Sequence, residues 1–355
     1  MTILFNLTKV ALTLIALLIF SKLSFGQNSS LFERVEILEM TLKGDVKGVL
    51  KNTKGDPTYF DFTFGYSMQD GESAMIPIRV RTRGHFRREM NFCTYPPLLL
   101  NFSKKETENT IFSSQNKLKL VLPCQGERYV IREYFAYKLY NLLTPLSFKV
   151  RLVRLRLVDQ SENAKTYESF LGFLIEDEDH LAERNQMNIL DKDLVSPERI
   201  VEEDFFRMAV FQYLIGNTDW SIQFRQNIKL MHAGEHERPI AVPYDFDHAG
   251  IVRAPYANPA PELKLASVTD RRYRGYCVEE MEAFQKVFSE FLAKKDEIYS
   301  LYTKSELLDE KYVKFSTRFL DGFYDAITNP KRAAMDFQYP CLSDGTGNIV
   351  IKGLN

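Results

Sequence analysis

The sequence predicts an α+β fold in two parts, a β-rich amino-terminal lobe with one helix and a mainly helical carboxy-terminal lobe. Three observations support this prediction. Over residues 35–158 apolar and polar residues mostly alternate, which is the period of half-buried strands. One stretch in that region, residues 129–143, has helical spacing instead. After residue 200 long helical patterns dominate, so the chain changes its secondary structure about halfway along its length.

The first part reads as a series of strands. "VEILEMTLKGDVKGVL" indicates a strand, a turn and a second strand, and "YFDFTFGY", "MIPIRVRTRG", "PPLLLNF" and "NKLKLVLPC" indicate four more. In the last of these, Lys117 and Lys119 share one face and leucines fill the other. In "FKVRLVRLRLVD" the apolar phase shifts between Leu152 and Val153, which predicts a β-bulge. A strand ending at Glu176 closes this part of the chain.

The second part is predicted to be helical. "EEDFFRMAVFQYLIG" is an apolar helix pattern that ends at Gly216, a residue suited to the left-handed position after a helix. Two long helical patterns follow at residues 278–302 and 310–328, and Pro330 is expected to stop the second. The polar residues 185–197 have no clean period and are predicted to link the two parts.

The first 26 residues have the layout of a secretory signal peptide, with an apolar stretch from residue 10 to residue 20 and small residues before Gln27. A retained signal anchor is the alternative, but the stretch is short for a bilayer span. We therefore expect an exported chain, periplasmic, cell-surface or extracellular, that starts near Gln27. It would form one domain with a β-rich lobe over residues 27–184 and a helical lobe over residues 185–355.

Composition limits the classes of partner. The 355 residues are 45% hydrophobic and 26% charged, with a formal net charge of −1. The small net charge gives no overall electrostatic field that favours nucleic acid or an anionic membrane, so we expect neither as a partner. We also expect no stable membrane insertion after the signal peptide is removed.

The four cysteines are Cys93, Cys124, Cys277 and Cys341. In an oxidising compartment they are expected to pair, and three connectivities are open. No CxxC spacing indicates zinc.

The polar residues with the most chemical content lie in two loops beside apolar elements. Asp219 lies in "GNTDW" and is followed eight positions later by Asn227, and Asp245 and Asp247 lie in "VPYDFDHAG". Carboxylate and amide oxygens suit Mg²⁺ or Mn²⁺, and a loop carboxylate can orient an attacking hydroxyl. If the second loop is extended, both acids face one way; if it turns after Tyr244, only one faces the site. The alternative is that all four are turn or cap residues.

The chain is predicted to have a β-rich part with one helix, then a linking segment, then a helical part that bears the two polar loops. This order of elements is that of a two-lobed protein-kinase-like fold. The chain resembles the CotH-like family of atypical secretory kinases in four segments of residues 76–250. These segments are "RTRGHFRR", "NKLKLVLPC" with "REYFAYKLYNLL", "GFLIEDEDHLAER", and "GNTDW" with "PYDFD". Each is weakly specific, and their order carries the resemblance.

The resemblance implies roles for particular residues. Asp219 would match the catalytic acid, and Asn227, Asp245 and Asp247 the ligands of Mg²⁺ or Mn²⁺. ATP would be the co-substrate. Glu133 would match the helix glutamate that pairs with the nucleotide lysine.

The sequence departs from the family at the nucleotide lysine, since Pro96 and Pro97 stand where it is expected. Lys119 or Lys117, from the next strand, is predicted to replace it. Arg83 is a further candidate for phosphate. No glycine-rich phosphate loop is visible. Glu176, at the strand end before the hinge-like segment, completes the nucleotide-binding set.

Other polar residues admit two interpretations. Arg79, Arg81 and Arg83 share one strand face, with Arg87 and Arg88 beyond, and "DRRYRGYC" holds three more arginines. Arginine suits bidentate contacts with phosphate or carboxylate, whereas a solvated face is the simpler alternative. The single tryptophan, Trp220, is predicted to pack beneath its loop, and His248 is a structural residue, a base or a metal ligand.

Three classes of function remain. The first is a secreted, metal-dependent kinase that transfers phosphate from a nucleotide to a protein or cell-envelope acceptor. The second is a pseudoenzyme that binds a ligand or partner outside the cytoplasm without turnover. The third is a metal-dependent hydrolase that uses Asp219, Asp245 and Asp247 with His248. No GxSxG motif supports a serine hydrolase.

Overall fold

The structure is a computed structural model that describes residues 31–84, 86–89, 92–161, 164–192, 194–275, 277–278 and 280–338. The predicted signal peptide and Cys341 lie outside the described residues. Among these residues no helix combines the length and apolar character that crossing a bilayer requires.

Seven strands close into a barrel in the order β1-β2-β3-β4-β5-β7-β6. The β1–β6 pairing is parallel and the others are antiparallel. The strands are β1 (Leu38–Gly44), β2 (Phe60–Ser67), β3 (Ser73–Thr82), β4 (Leu98–Asn101), β5 (Lys117–Val121), β6 (Val150–Asp159) and β7 (Phe170–Ile175).

The remaining described elements are helices and a small sheet. Strands β8 (Asn188–Ile189), β9 (Ile228–His232) and β10 (Ile240–Pro243) form that sheet in the order β10-β9-β8. The helices are α1 (Val46–Lys51), α2 (Phe86–Glu89), α3 (Lys104–Thr107), α4 (Glu127–Leu143), α5 (Glu178–Arg184), α6 (Glu202–Ile215), α7 (Glu282–Ala293), α8 (Lys295–Thr303), α9 (Glu310–Thr328) and α10 (Pro330–Phe337), with short 3-10 turns at Pro197–Arg199 and Pro261–Leu263.

Alternation along β7 shows how the barrel joins the helical part. All six residues of this strand are buried. Phe170 and Leu174 belong to the apolar cluster inside the barrel, whereas Phe173 and Ile175 belong to the cluster built on α4 and the later helices. Successive side chains of a strand point to opposite faces, so β7 is buried on both sides. The barrel wall therefore forms one boundary of the helical core.

The predicted two-lobed, protein-kinase-like fold is wrong for this structure. The amino-terminal part is not a β-rich lobe with a single helix. Its seven strands close on themselves through the β1–β6 pairing, and short helices accompany the long helix α4. Strand periodicity reveals each strand but does not reveal which strands pair, so the closure was not visible in the sequence.

Two local predictions also fail. The residues after Gly44 form helix α1 rather than a second strand, because Asp45 caps that helix by accepting a hydrogen bond from the Gly48 backbone N–H. The β-bulge at Leu152 and Val153 is absent, since both residues pair in continuous register with β7. The change of apolar phase there arises because the first four residues of β6 are buried on both faces, whereas the rest of the strand alternates.

The helical predictions fare better. Helix α4 and helix α9 lie where their spacing predicted them. Gly216 ends α6 at φ 67°, in the left-handed region, as predicted. The pattern at residues 278–302 is two helices that meet at Lys294, and Pro330 begins helix α10 instead of only ending α9.

Two further predictions concern connections. The segment 185–197, which was predicted to link the two parts of the chain, carries the short strand β8, and this strand pairs with β9. Cys93 and Cys124 form a disulfide, and Cys277 is also disulfide-bonded.

Candidate functional site

A pocket of about 370 Å³ lies where the barrel meets the loops of the helical part. It brings together five of the residues predicted from the sequence. They are Arg83, Asp219, Asn227, Asp245 and Asp247. Its other lining residues are Gly84, Phe86, Arg87, Pro97, Arg225, Gln226, Tyr244 and His248.

The loop that carries Asp219 follows directly from the end of α6. Asn217 accepts a hydrogen bond from the Asp219 backbone N–H at 3.1 Å, which fixes the turn. Asn227 donates from Nδ2 to the Asp219 carbonyl oxygen at 2.9 Å and to its Oδ2 at 3.0 Å. Asp219 is only 6% exposed and its carboxylate lies at the pocket wall. Asp219 and Asn227 therefore act as one hydrogen-bonded unit.

Arg274 holds this loop through hydrogen bonds to its backbone. Its Nη1 donates to the carbonyl oxygens of Thr218 at 2.5 Å and Trp220 at 2.7 Å, the two residues that flank Asp219. The guanidinium also lies 5.3 Å from the centre of the Trp220 ring. Trp220 is buried, in agreement with the packing role predicted for it. Sequence reasoning noted Arg274 only as one of a group of arginines, because nothing local links it to Asp219.

The second loop turns at Asp245, whose φ is 61°. Phe246 is fully buried and packs against the rings of Tyr137 and Phe211. The Asp245 backbone N–H donates to the Tyr137 hydroxyl at 2.8 Å. The chain thus turns after Tyr244, the case in which only one acid was predicted to face the site. Both Asp245 and Asp247 nevertheless line the pocket.

Both acids contact the same arginine. Arg87 Nη2 lies 3.0 Å from Asp245 Oδ1, and Arg87 Nε lies 3.3 Å from Asp247 Oδ2. Its third nitrogen, Nη1, lies 3.4 Å from Glu133 Oε2 on helix α4. Tyr256 donates its hydroxyl proton to Asp247 Oδ2 at 3.0 Å. Arg87 was named from the sequence only as part of an arginine-rich segment, because its three partners are distant in sequence.

Burial and charge set the ionisation of these acids. Burial raises the pKa of Glu133 to about 8, although Arg87 acts in the opposite direction. Burial, and then the neighbouring Asp247, raise the pKa of Asp245. Burial opposes the shift of Asp247, but Arg87, His248 and the hydrogen bond from Tyr256 together contribute to a pKa that is lowered. The three acidic side chains therefore surround one permanently charged group, the guanidinium of Arg87.

Lys119 does not pair with Glu133 as predicted. Its Nζ lies 5.2 Å from the centre of the Tyr244 ring and 5.7 Å from that of Phe148. Burial, with the neighbouring Arg83 charge, lowers the pKa of Lys119 to about 8. Among the described residues neither Lys119 nor Arg83 has a carboxylate within ion-pair distance. Two cations without a carboxylate partner thus stand on the barrel side of the site.

Four of the five predicted nucleotide-binding residues, Lys117, Lys119, Glu133 and Glu176, are not lining residues of the pocket, and Arg83 is the exception. Lys117 is an exposed residue at the start of β5. Glu176 is buried and accepts hydrogen bonds from Arg184 Nε at 2.8 Å and from the Lys149 backbone N–H at 2.9 Å. Glu176 therefore links α5 to the start of β6. Arg79 and Arg81 lie over the ring of Tyr59, also away from the pocket.

The predicted metal ligands have suitable donor atoms, but the guanidinium of Arg87 lies between the two carboxylates. Asp245, Asp247 and Asn227 carry the oxygen donors that Mg²⁺ or Mn²⁺ prefers. The space between the carboxylates, however, is taken by the guanidinium of Arg87. No group of three or more His, Cys, Asp or Glu side chains among the described residues could hold a metal ion. The arrangement does not fit a resident divalent ion.

No protein-family model matches the chain, and no curated protein matches it either. Among solved structures, the chain is similar to the Helicobacter pylori proinflammatory kinase CtkA. The identity is 12% and the TM-score 0.37, over 69% of this chain and 90% of that chain. At these values the likeness supports no conclusion about fold or activity. Any function must be argued from the site itself.

Proposed function

We propose that this protein is a phosphotransferase that moves a phosphoryl group from a nucleotide such as ATP to an acceptor outside the cytoplasm. One observation carries the proposal. Asp219 and Asn227 on one loop, Asp245 and Asp247 on another, and Arg83 from the barrel all line one pocket. These residues are far apart in sequence, so their convergence reflects the fold.

The pocket divides the work of such a transfer between its two sides. Arg83 lines the pocket on the barrel side, and Lys119 lies close enough for the Arg83 charge to contribute to lowering its pKa, after burial. These two positive charges would attract the phosphates of a donor. Asp219, held by Asn227 and by the Arg274 clamp on its loop, would accept a hydrogen bond from the acceptor hydroxyl and orient it. No step is assigned to a resident metal, and a divalent ion that accompanies the nucleotide would enter as part of the substrate.

The acceptor we propose is a protein or a cell-envelope component. This part of the proposal follows from the predicted export signal. The resemblance to CotH-like secretory kinases supports the same class of reaction.

A second candidate is a binding protein without turnover. Two observations favour it: the predicted Lys119–Glu133 pair is absent, and Glu133 pairs with Arg87 instead. Such a protein would bind nucleotide or another phosphorylated ligand through Arg83 and Lys119 but transfer nothing.

The decisive experiment compares wild-type protein, processed near Gln27, with Asp219→Asn. Nucleotide binding is measured by calorimetry, and transfer by following γ-labelled ATP onto the protein itself and onto envelope extracts. We expect Asp219→Asn to bind nucleotide as the wild type does and to transfer at least about a hundredfold more slowly, the size of an acid–base contribution.

Asp325→Asn is the matched control, because Asp325 is an exposed acid on helix α9. It should match the wild type in both assays. Nucleotide binding without transfer in the wild type would favour the binding protein. Absence of nucleotide binding would reject the phosphotransferase and would limit the binding protein to other phosphorylated ligands.

A further inference from the structure

We propose that Arg87 is the resident cation of this site, so that its guanidinium, rather than a divalent metal ion, holds Glu133, Asp245 and Asp247 together in the ligand-free protein. The inference rests on the proposed function for its biological meaning, since it concerns the same pocket. Its test does not require phosphoryl transfer.

The guanidinium of Arg87 contacts three carboxyl groups. Each of the three guanidinium nitrogens meets a different carboxylate: Nη1 meets Glu133 at 3.4 Å, Nη2 meets Asp245 at 3.0 Å and Nε meets Asp247 at 3.3 Å. Arginine carries a fixed planar array of donors and stays charged at all relevant pH values. One side chain thus bridges three acids from two separate elements, helix α4 and the loop after β10.

The carboxylate oxygens around Arg87 are spaced for a guanidinium and not for a metal ion. Oxygens that lie 3.0–3.4 Å from the guanidinium nitrogens stand on the order of 4 Å from its central carbon, whereas Mg²⁺ needs oxygens at about 2.1 Å. A divalent ion at that position would require the arginine to leave and the carboxylates to move inward. It would also leave the displaced Arg87 charge without its partners, which is costly for a buried group.

Neighbouring residues hold Arg87 in this position. The residue is 7% exposed and lies on the short helix α2. The ring of the preceding Phe86 contacts His248 and Tyr256, which belong to the loop region of Asp247.

The chain after α2 is also tied down. The Cys93–Cys124 disulfide and the hydrogen bond from the Thr94 N–H to the Cys124 carbonyl at 2.8 Å attach it to the residues that lead into helix α4. Helix α4 carries Glu133. The Cys93–Cys124 disulfide thereby links the segment that follows Arg87 to the segment that precedes Glu133.

The experiment titrates Mn²⁺ alone, without nucleotide, into the processed full chain. Electron paramagnetic resonance counts free Mn²⁺, and melting temperature reports binding to the folded state. The variants are Arg87→Met and the matched control Arg83→Met, which removes an arginine of the same pocket that has no ion pair with the three acids.

We expect the wild type and Arg83→Met to bind Mn²⁺ only weakly and to show no change in melting temperature on addition of EDTA. Arg87→Met should bind one Mn²⁺ per chain at least tenfold more tightly, with a matching rise in melting temperature. If Arg87→Met does not fold, Arg87→Lys replaces it, because a single ammonium cannot reach all three acids and should also raise the affinity, by a smaller factor.

Two results would overturn the proposal. One is a wild type that already holds one Mn²⁺ per chain and loses stability when EDTA is added. The other is a folded Arg87 variant that binds Mn²⁺ no more tightly than the wild type. Failure to bind nucleotide would reject the proposed function but would leave these metal results unchanged, so the two ideas are tested separately.

Discussion

At the scale of single residues, the main finding is an exchange of partners around Glu133. The sequence predicted Lys119 or Lys117 as its partner, but the structure gives it Arg87 at 3.4 Å. Lys119 instead lies over the rings of Tyr244 and Phe148 with no acid at ion-pair distance among the described residues. A half-buried lysine without an acid at ion-pair distance is a destabilising group, which fits the anion-binding role proposed for Lys119.

Lys119 gives a prediction about stability and pH. Its pKa in the folded protein is lowered to about 8 from 10.5, mainly by burial. Between these pH values the unfolded chain binds a proton that the folded chain has lost, so the free energy of unfolding should rise as the pH increases through this window. Lys119→Met should remove that rise, and at pH 7 it should stabilise the protein by about 1–2 kcal/mol, a figure that allows for partial access of water.

The measurement is urea unfolding of wild type and variant at pH 7 and at pH 9.5. Lys117→Met is the matched control, since Lys117 lies on the same strand but is exposed. It should change stability little at either pH. A Lys119→Met protein that is less stable than the wild type at pH 7 would show that Lys119 makes a stabilising contact instead.

At the scale of elements, the site consists of two loops whose shapes are fixed by buried neighbours. Phe246 anchors the loop of Asp245 and Asp247 in the helical core. Arg274, which is 5% exposed, anchors the loop of Asp219 through the carbonyl oxygens on either side of it. Neither anchor is itself a lining residue of the pocket, so each acts by positioning other groups.

The Arg274 anchor can be tested directly. Arg274→Met should leave two buried carbonyl oxygens without these donors and lower the free energy of unfolding by about 2–4 kcal/mol. Amide hydrogens of residues 218–221 should exchange faster, while those of helix α9 should exchange at the wild-type rate. Hydrogen-exchange mass spectrometry measures both regions in one experiment.

Arg272→Met is the control for this variant, because Arg272 is only two residues away and exposed. It should leave exchange in residues 218–221 unchanged. Equal effects of the two substitutions would mean that Arg274 contributes general stability and does not hold the Asp219 loop.

At the scale of the whole molecule, the site depends on contact between the barrel and the helical part. Arg83 and Arg87 follow strand β3 of the barrel, whereas Asp219, Asp245 and Asp247 come from loops beyond residue 215. Strand β7 contributes to both apolar cores, so the two parts share a wall.

Export is the prediction that concerns the complete chain. Expressed with residues 1–26 in a bacterial host, the protein should be processed and recovered outside the cytoplasm with an amino terminus near Gln27. Intact-mass measurement of the recovered protein checks this. An unprocessed chain found in the cytosol would contradict it, together with the extracytoplasmic acceptor that we propose.

The sequence by itself determined what local periodicity and local chemistry can determine. Helices α4 and α9, the left-handed cap at Gly216 and most strands of the barrel were visible, because burial on one face leaves a repeat of fixed period. The polar loops holding Asp219 and Asp245 were visible as well, because they interrupt apolar elements.

Only the tertiary structure decided which of these pieces meet. Closure of the barrel depends on the β1–β6 pairing, which joins residues more than a hundred positions apart. The meeting of Arg87 with Glu133, Asp245 and Asp247 likewise joins distant residues, as does the hold of Arg274 on the Asp219 loop. Such contacts leave no periodic trace in a single sequence, since the energy that selects them comes from burial and charge pairing in the assembled core.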